Sequence, residues 1–232
     1  MGLFALEGVG VATERGQVLH DVTAEIPARG VTVLVGPSGA GKSTMLRLCN
    51  RLEVATTGRV LFHGEDVVTI DPLALRRRAG MVFQRPTLFG GTVRDNLAVA
   101  LPGADDATYA AALGRAELPS TFLDCPADEI SGGEAQRVCV ARTLVTDPEV
   151  LLMDEPTAAL DERPRFALER LARHFADEGV PVVWVTHQLD QMRRLADHLL
   201  VVIAGRIRYA GEVGALDSHA DPEVSAFVGG AR

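Results

Sequence analysis

The stretch Gly36-Pro-Ser-Gly-Ala-Gly-Lys-Ser-Thr44 limits what this chain can fold into more than any other. Gly36, Gly41, Lys42 and Ser43 fill every fixed position of a G-x-x-x-x-G-K-[ST] loop, with Pro37, Ser38, Gly39 and Ala40 between them and Thr44 after. The apolar run Val31–Val35 leads in, and the helix-compatible Met45–Leu52 leads out. A buried strand that delivers the chain to a glycine-rich turn, with a helix starting beneath it, is what a phosphate-binding loop requires. Glycines let backbone N–H groups close around a β-phosphate without a Cβ in the way. Lys42 then reaches the β- and γ-phosphates, and the Ser43 hydroxyl can ligate Mg²⁺. The expected ligand is a nucleoside triphosphate with its magnesium.

At 232 residues the chain can bury a sizeable core as one domain, or one domain with a small insertion. A net charge of −8 disfavours a general nucleic-acid binder, which carries basic surface to neutralise phosphate. No apolar run approaches the roughly 20 residues that span a bilayer. The longest, Val180–Thr186 and Leu199–Ala204, have the length of buried strands. The N-terminus lacks the basic region and long apolar core of a signal peptide. Cys49, Cys125 and Cys139 are scattered without C-x-x-C spacing, so neither a disulfide framework nor a zinc site is expected.

Two β-like stretches, Leu3–Gly8 and Val18–Ile26, flank the polar turn Thr13–Gly16 and read as an antiparallel pair at the edge of the nucleotide fold. Strands follow at Gly58–Gly64 and Gly80–Phe83, with a short helix at Pro72–Arg78 between them. From Arg85 to Thr146 only helical patterns occur, at Thr92–Ala100, Asp106–Ala116 and Gly132–Val145. A βαβ rhythm then resumes with strands at Val150–Met153 and Pro181–Thr186 around a helix at Arg163–Glu178. A strand pair turning at Gly205 and short helical pieces to Arg232 close the chain. The expected fold is α/β, a P-loop NTPase core with a mostly parallel sheet and antiparallel N-terminal edge strands. It spans 1–232 as one domain, with 1–84 and 147–232 as the nucleotide-binding core and 85–146 as an inserted helical subdomain.

Val150–Met153 ends in two adjacent carboxylates, Asp154 and Glu155, at the carboxyl end of a strand, where open α/β sheets bind ligands. Strand alternation aims the two side chains differently. Asp154 is expected to face the Mg²⁺ held by Ser43, and Glu155 the γ-phosphate and an attacking water. Ser131 is a good N-cap, and Gly132 and Gly133 leave first-turn amides bare before a helix, which makes a second anion site.

Ile130-Ser-Gly-Gly-Glu-Ala-Gln-Arg137 resembles the LSGGQ-type signature of ABC ATPases, and it lies upstream of Asp154 as in that family. Gln84 is similar to the family's Q-loop glutamine, Ala158-Ala-Leu-Asp161 to its D-loop, and Thr186-His187 to its switch histidine. The resemblance implies two subunits that sandwich two ATP molecules. Each ATP would lie between one chain's Gly36–Thr44 and the signature residues Ser131, Gly132, Gly133 and Glu134 of the other, with Asp161 at the dimer contact. It implies a catalytic set of Glu155, His187 and Gln84, and Mg²⁺ held by Ser43, Gln84 and Asp154. His20, His63, His174, His198 and His219 carry no such match and read as ordinary structural histidines, and Arg76–Arg78 as a solvated helix face.

The sequence also departs from the family. Glu134 stands where Gln is commoner and Ile130 where Leu is. The aromatic residue that usually stacks on adenine is missing around Val11–Glu14, and Phe4 reads as packing inside its strand.

With one cassette, the resemblance implies a transporter's ATPase subunit on the cytoplasmic face of the cell membrane. It would dock on a separate transmembrane permease through Arg85–Gly90. Long coiled coils or a second phosphate loop, expected of a soluble ABC ATPase acting on nucleic acid or ribosomes, are not found. Two cargo types remain open. Leu61–Asp66, Pro86–Leu97 and Val183–His187 look like bacterial iron-export cassettes, whereas Cys49–Leu52 and the general layout look like phosphate-import cassettes.

Overall fold

The computed structural model describes residues 2–14, 16–218 and 221–229. Arg15, His219 and the last three residues, for which sequence expectations were made, lie outside them. The elements run β1 (Gly2–Thr13), β2 (Gly16–Pro27), β3 (Val31–Val35), α1 (Lys42–Leu48), β4 (Thr57–Phe62), β5 (Glu65–Asp66), α2 (Pro72–Arg78), β6 (Ala79–Val82), α3 (Val93–Ala100), α4 (Asp106–Arg115), α5 (Gly132–Leu144), β7 (Val150–Asp154), α6 (Glu162–Asp177), β8 (Val182–Thr186), α7 (Leu189–Leu195), β9 (His198–Ile203), β10 (Arg206–Glu212) and α8 (Pro222–Gly229). Short 3₁₀ turns occupy Ser120–Asp124 and Val213–Ser218.

Six strands form one sheet in the order β10-β9-β3-β8-β7-β6. β9, β3, β8, β7 and β6 run parallel, and β10 returns antiparallel against β9. Every residue of β3, β7 and β8 is buried, as expected of parallel strands covered on both faces. Alternate side chains feed different layers. Val33, Val35, Met153 and Trp184 join the layer built by α3 to α7, whereas Leu34, Leu152, Val183 and Val185 face α1 and the N-terminal strands.

The N-terminal strands are not at the edge of the parallel sheet. They form their own sheet, in the order β2-β1-β4-β5, laid over its face. The reason is apolar area: Leu3, Phe4, Leu6, Leu19 and Ile26 are buried against Met45, Leu46 and the upper face of the core, and an edge position would leave most of them wet. β1 also runs five residues past Gly8, through a register shift where Gly8 takes a left-handed φ of 60°. α1 stops short of the expected Leu52, because Arg51 adopts a φ of 55° and Leu52 N–H turns back to the Arg47 carbonyl at 3.0 Å. α7 had no counterpart in the sequence reading.

Between β6 and β7 the described regular elements are α3, α4, a 3₁₀ turn and α5. Thr92 and Ser131 open α3 and α5 with reciprocal capping boxes to Asp95 and Glu134, of which the N-cap role of Ser131 was read from sequence. Cys49 and Cys139 are buried and their thiols are pushed up by burial, Cys49 to about 12, whereas Cys125 is half-buried beside the 3₁₀ turn. Arg76 and Arg78 do more than face solvent. Arg76 donates to the Asn50 and Arg51 carbonyls, and Arg78 clamps Glu149, which His63 also meets at 3.0 Å.

Candidate active site

Register decides what meets what. Val35 pairs with Thr186, Asp154 with Val185 and Val82 with Met153, so β3, β8, β7 and β6 all end at one edge of the sheet. The loop Gly36–Gly41 leaves β3 there. Glu155 follows β7, His187 follows β8, and the exposed Gln84 lies two residues past β6. Four segments far apart in sequence converge on one rim.

The loop is as tight as its sequence implied. A β-carbon on Gly36 would overlap the Val202 carbonyl oxygen of β9. Gly41, at a φ of 98°, lies under β2, where a β-carbon would come 2.6 Å from Leu19 Cδ2. Gly205 N–H bonds the Ala40 carbonyl at 3.1 Å and the Gly205 carbonyl accepts from His20 N–H at 2.8 Å, which ties both sheets to the loop. Lys42 Nζ donates to the Gly36 and Pro37 carbonyls, each at 2.8 Å. Burial lowers the Lys42 pKa below the ordinary lysine range, and the Glu155 and Asp154 carboxylates oppose that shift.

Ser43 Oγ donates to Asp154 Oδ1 at 2.6 Å, and Asp154 is 3% exposed. A hydroxyl and a buried carboxylate side by side form the hard oxygen donor set that Mg²⁺ takes, so the residues present fit the ion. The other carboxylate oxygen accepts from Arg47 Nη2 at 3.1 Å. Sequence reasoning missed Arg47, although its i+4 spacing from Ser43 places both on one helix face.

Glu155 is held in the left-handed region, with a φ of 43°, and its N–H donates to the Val185 carbonyl at 3.2 Å. A non-glycine residue there stores strain, which clusters at sites of function. Its Oε2 lies 3.1 Å from His187 Nδ1. A carboxylate with 18% of its side chain exposed therefore sits against an imidazole at 46%, at the mouth of the phosphate loop. That pair can accept a proton from water and hold a hydrogen-bonding partner in line.

The signature segment is held elsewhere, by α5 and the start of α6. Ser131 Oγ and N–H both donate to Glu134 Oε2, at 2.6 and 2.8 Å, which lowers the Glu134 pKa. A β-carbon on Gly133 would lie 3.1 Å from Pro164 Cβ. Asp161 is exposed at the N-cap of α6. Gln136, within the same motif, donates to the Phe83 carbonyl at 3.0 Å and so joins α5 to the strand end before Gln84.

Phe4 stacks on Phe62 with ring centroids 4.8 Å apart inside the antiparallel sheet, as its sequence context suggested. It is committed to the core rather than to a base. An aromatic platform contributes roughly 1–3 kcal/mol per stacked base. We therefore expect ATP and GTP to bind with affinities within about threefold of each other; a strong preference for ATP in a competition titration would refute this.

The family model described as "ABC transporter" matches residues 19–158. Protein STAR1 of Oryza sativa subsp. japonica is 45% identical over 197 residues, covering 82% of this chain, and the chain spans only 57% of that protein. Phosphate import ATP-binding protein PstB 3 of Natronomonas pharaonis is 40% identical over 203 residues, covering 82% of this chain and 74% of that one. Among solved structures, cbiO1 of Clostridium perfringens, described as part of the ABC transporter complex cbiONQ, superposes with a TM-score of 0.81 at 27% identity, covering 91% of this chain and 88% of that one.

Proposed function

This chain belongs to the ABC transporter family, whose ATP-binding domains hydrolyse ATP, and on that premise we propose that it drives a separate membrane permease by closing as a homodimer over two ATP molecules. The observation that carries this reading is the convergence of Lys42, Ser43–Asp154 and Glu155–His187 on one sheet edge. Glu155 takes the proton of the attacking water, His187 holds Glu155 and the γ-phosphate in line, and Gln84 reaches the metal or that water. Ser43, Asp154 and Gln84 would hold Mg²⁺, which would supply positive charge against the phosphates.

Ser131, Gly132, Gly133 and Glu134 act in trans on the partner's ATP, with Asp161 at the contact between copies. The exposed Ser131 and Gly132 at the start of α5, ahead of the half-buried Gly133 and Glu134, support this. Closure is then a conformational bias of a few kcal/mol provided by γ-phosphate contacts, and hydrolysis removes it.

The permease reading is supported by a groove of about 440 Å³ lined by Leu73, Phe83, Phe89 and Val99 and rimmed by Arg76 and Arg85. Phe83, Phe89, Leu73 and Val99 are all exposed large apolar side chains, the signature of an interaction surface. It includes Arg85, Thr87 and Phe89 of the Arg85–Gly90 segment, and the place of action would be the cytoplasmic face of the membrane. No described helix is long and apolar enough to cross a membrane.

Metal export is the cargo we favour, on the resemblance of Pro86–Leu97; phosphate import is the second reading, favoured by the likeness to a protein named for phosphate import. Tagged Glu155→Gln protein, recovered from its native membranes with ATP and Mg²⁺, should bring down a multi-spanning permease whose type separates the two cargoes. Phe89→Asp in the same background should lose that permease and keep ATP. Ribosomes or DNA in place of a permease would move the chain to the soluble, non-transport ABC class.

A further inference from the structure

A polar network, buried except for Arg194 at its outer end, adjoins the segments that bear Glu155 and His187. The side-chain amide of Gln191, on α7, uses its carbonyl and both of its N–H groups. Its Oε1 accepts from Trp184 Nε1 on β8 at 3.1 Å, and its Nε2 donates to Thr157 Oγ1 at 2.9 Å and to Glu169 Oε1 on α6 at 2.8 Å. Gln191, Thr157, Glu169 and Trp184 are each at most 4% exposed. Arg194 completes the set, donating to both Glu169 oxygens at 2.9 and 3.0 Å.

What the network ties together is informative. Thr157 lies two residues past Glu155, in the turn whose backbone bonds run from the Ala158 N–H to the Glu155 carbonyl and from the Leu160 N–H to the Thr157 carbonyl, just before Asp161. Trp184 lies three residues before His187 on β8, and Gln191 four residues after it. One amide therefore fixes the distance between the turn that bears the carboxylate and the strand and helix that bear the imidazole. Glu155 occupies a strained backbone position, so its orientation has to be imposed by its surroundings rather than by its own preference. Replacing such a buried group leaves several partners unsatisfied at once, which makes the geometry above it sensitive to the exchange.

We infer that Gln191 is a positioning residue for ATP hydrolysis: it holds the Thr157 turn against α7 and β8, and thereby sets the 3.1 Å contact between Glu155 and His187. The inference rests on the ATPase reading above. It distinguishes hydrolysis from binding, because the network touches neither the phosphate loop nor Lys42.

The test uses the purified full chain and two exchanges. Gln191→Leu removes the amide, and Thr157→Val removes only one hydroxyl at nearly constant shape. For both single variants kcat should fall at least about tenfold, since a misplacement of about 1 Å costs up to roughly a hundredfold, while KM and Kd for ATP stay within about threefold. Trp184 is the only tryptophan, so its emission reports the bond directly: it should shift to the blue in Gln191→Leu, where the indole loses its acceptor, and stay in place in Thr157→Val. If Gln191→Leu does not fold, Thr157→Val alone decides. Single variants that hydrolyse at the parent rate, or that lose ATP affinity along with kcat, would overturn the inference. A parent protein that hydrolyses no ATP would overturn the ATPase reading itself and this inference with it, a result separate from that of equal rates.

Discussion

Glu155→Gln should bind ATP as the parent does, hydrolyse it at least about a hundredfold more slowly, and accumulate as an ATP-bound dimer. General-base catalysis contributes roughly 10²- to 10⁴-fold to a rate, and the amide cannot take a proton. It can still occupy the same left-handed backbone position and hydrogen-bond His187 at the 3.1 Å now seen, so the loss should fall on chemistry and not on shape. The γ-phosphate then persists and keeps the two copies closed. Steady-state phosphate release and size-exclusion chromatography with ATP and Mg²⁺ read the two effects separately. A variant that hydrolyses within about twofold of the parent would remove Glu155 from the role of base.

Lys42→Ala should lose nucleotide binding, and dimerisation with it. Charge-assisted hydrogen bonds to phosphate are worth about 1.5–3 kcal/mol each, so an ammonium that meets two phosphates accounts for some two to four orders of magnitude in affinity. The present contacts add a second cost. Lys42 Nζ now bridges the Gly36 and Pro37 carbonyls at 2.8 Å, and truncation leaves a loop without the cation that gathers it. Calorimetric titration with ATP, with far-ultraviolet circular dichroism as a check on folding, measures this. A folded Lys42→Ala protein whose Kd lies within about threefold of the parent's would contradict the assignment.

Some of this site was legible before any coordinates, and the reasons are local. Gly36–Thr44 lies on one contiguous stretch whose glycines answer to one backbone geometry, so the order of residues nearly writes the loop. The N-cap role of Ser131 is a local preference and was equally visible, although its reciprocal bond with Glu134 was not read. The strand order was not. Nothing in the run from Val31 to Val35 says that it will pair with Val182–Thr186 on one side and His198–Ile203 on the other, yet that crossover brings His187 to the phosphate loop. The N-terminal strands misled for a related reason, because alternation specifies a face to bury but not which surface covers it. Gln191 gave no signal, being one amide in a short helix whose partners come from β8, α6 and the turn after β7. Arg47 could have been found by counting four residues from Ser43.

The uneven burial of the three thiols makes the molecule its own measuring device. Cys49 and Cys139 are enclosed with their thiols held protonated, so a thiol-reactive dye has one open address, Cys125 in the helical segment between β6 and β7. The single indole, Trp184, sits in the parallel sheet. Donor and acceptor thus stand in different parts of the fold without any engineered residue, and energy transfer between them would report any movement of that segment against the core when ATP is added.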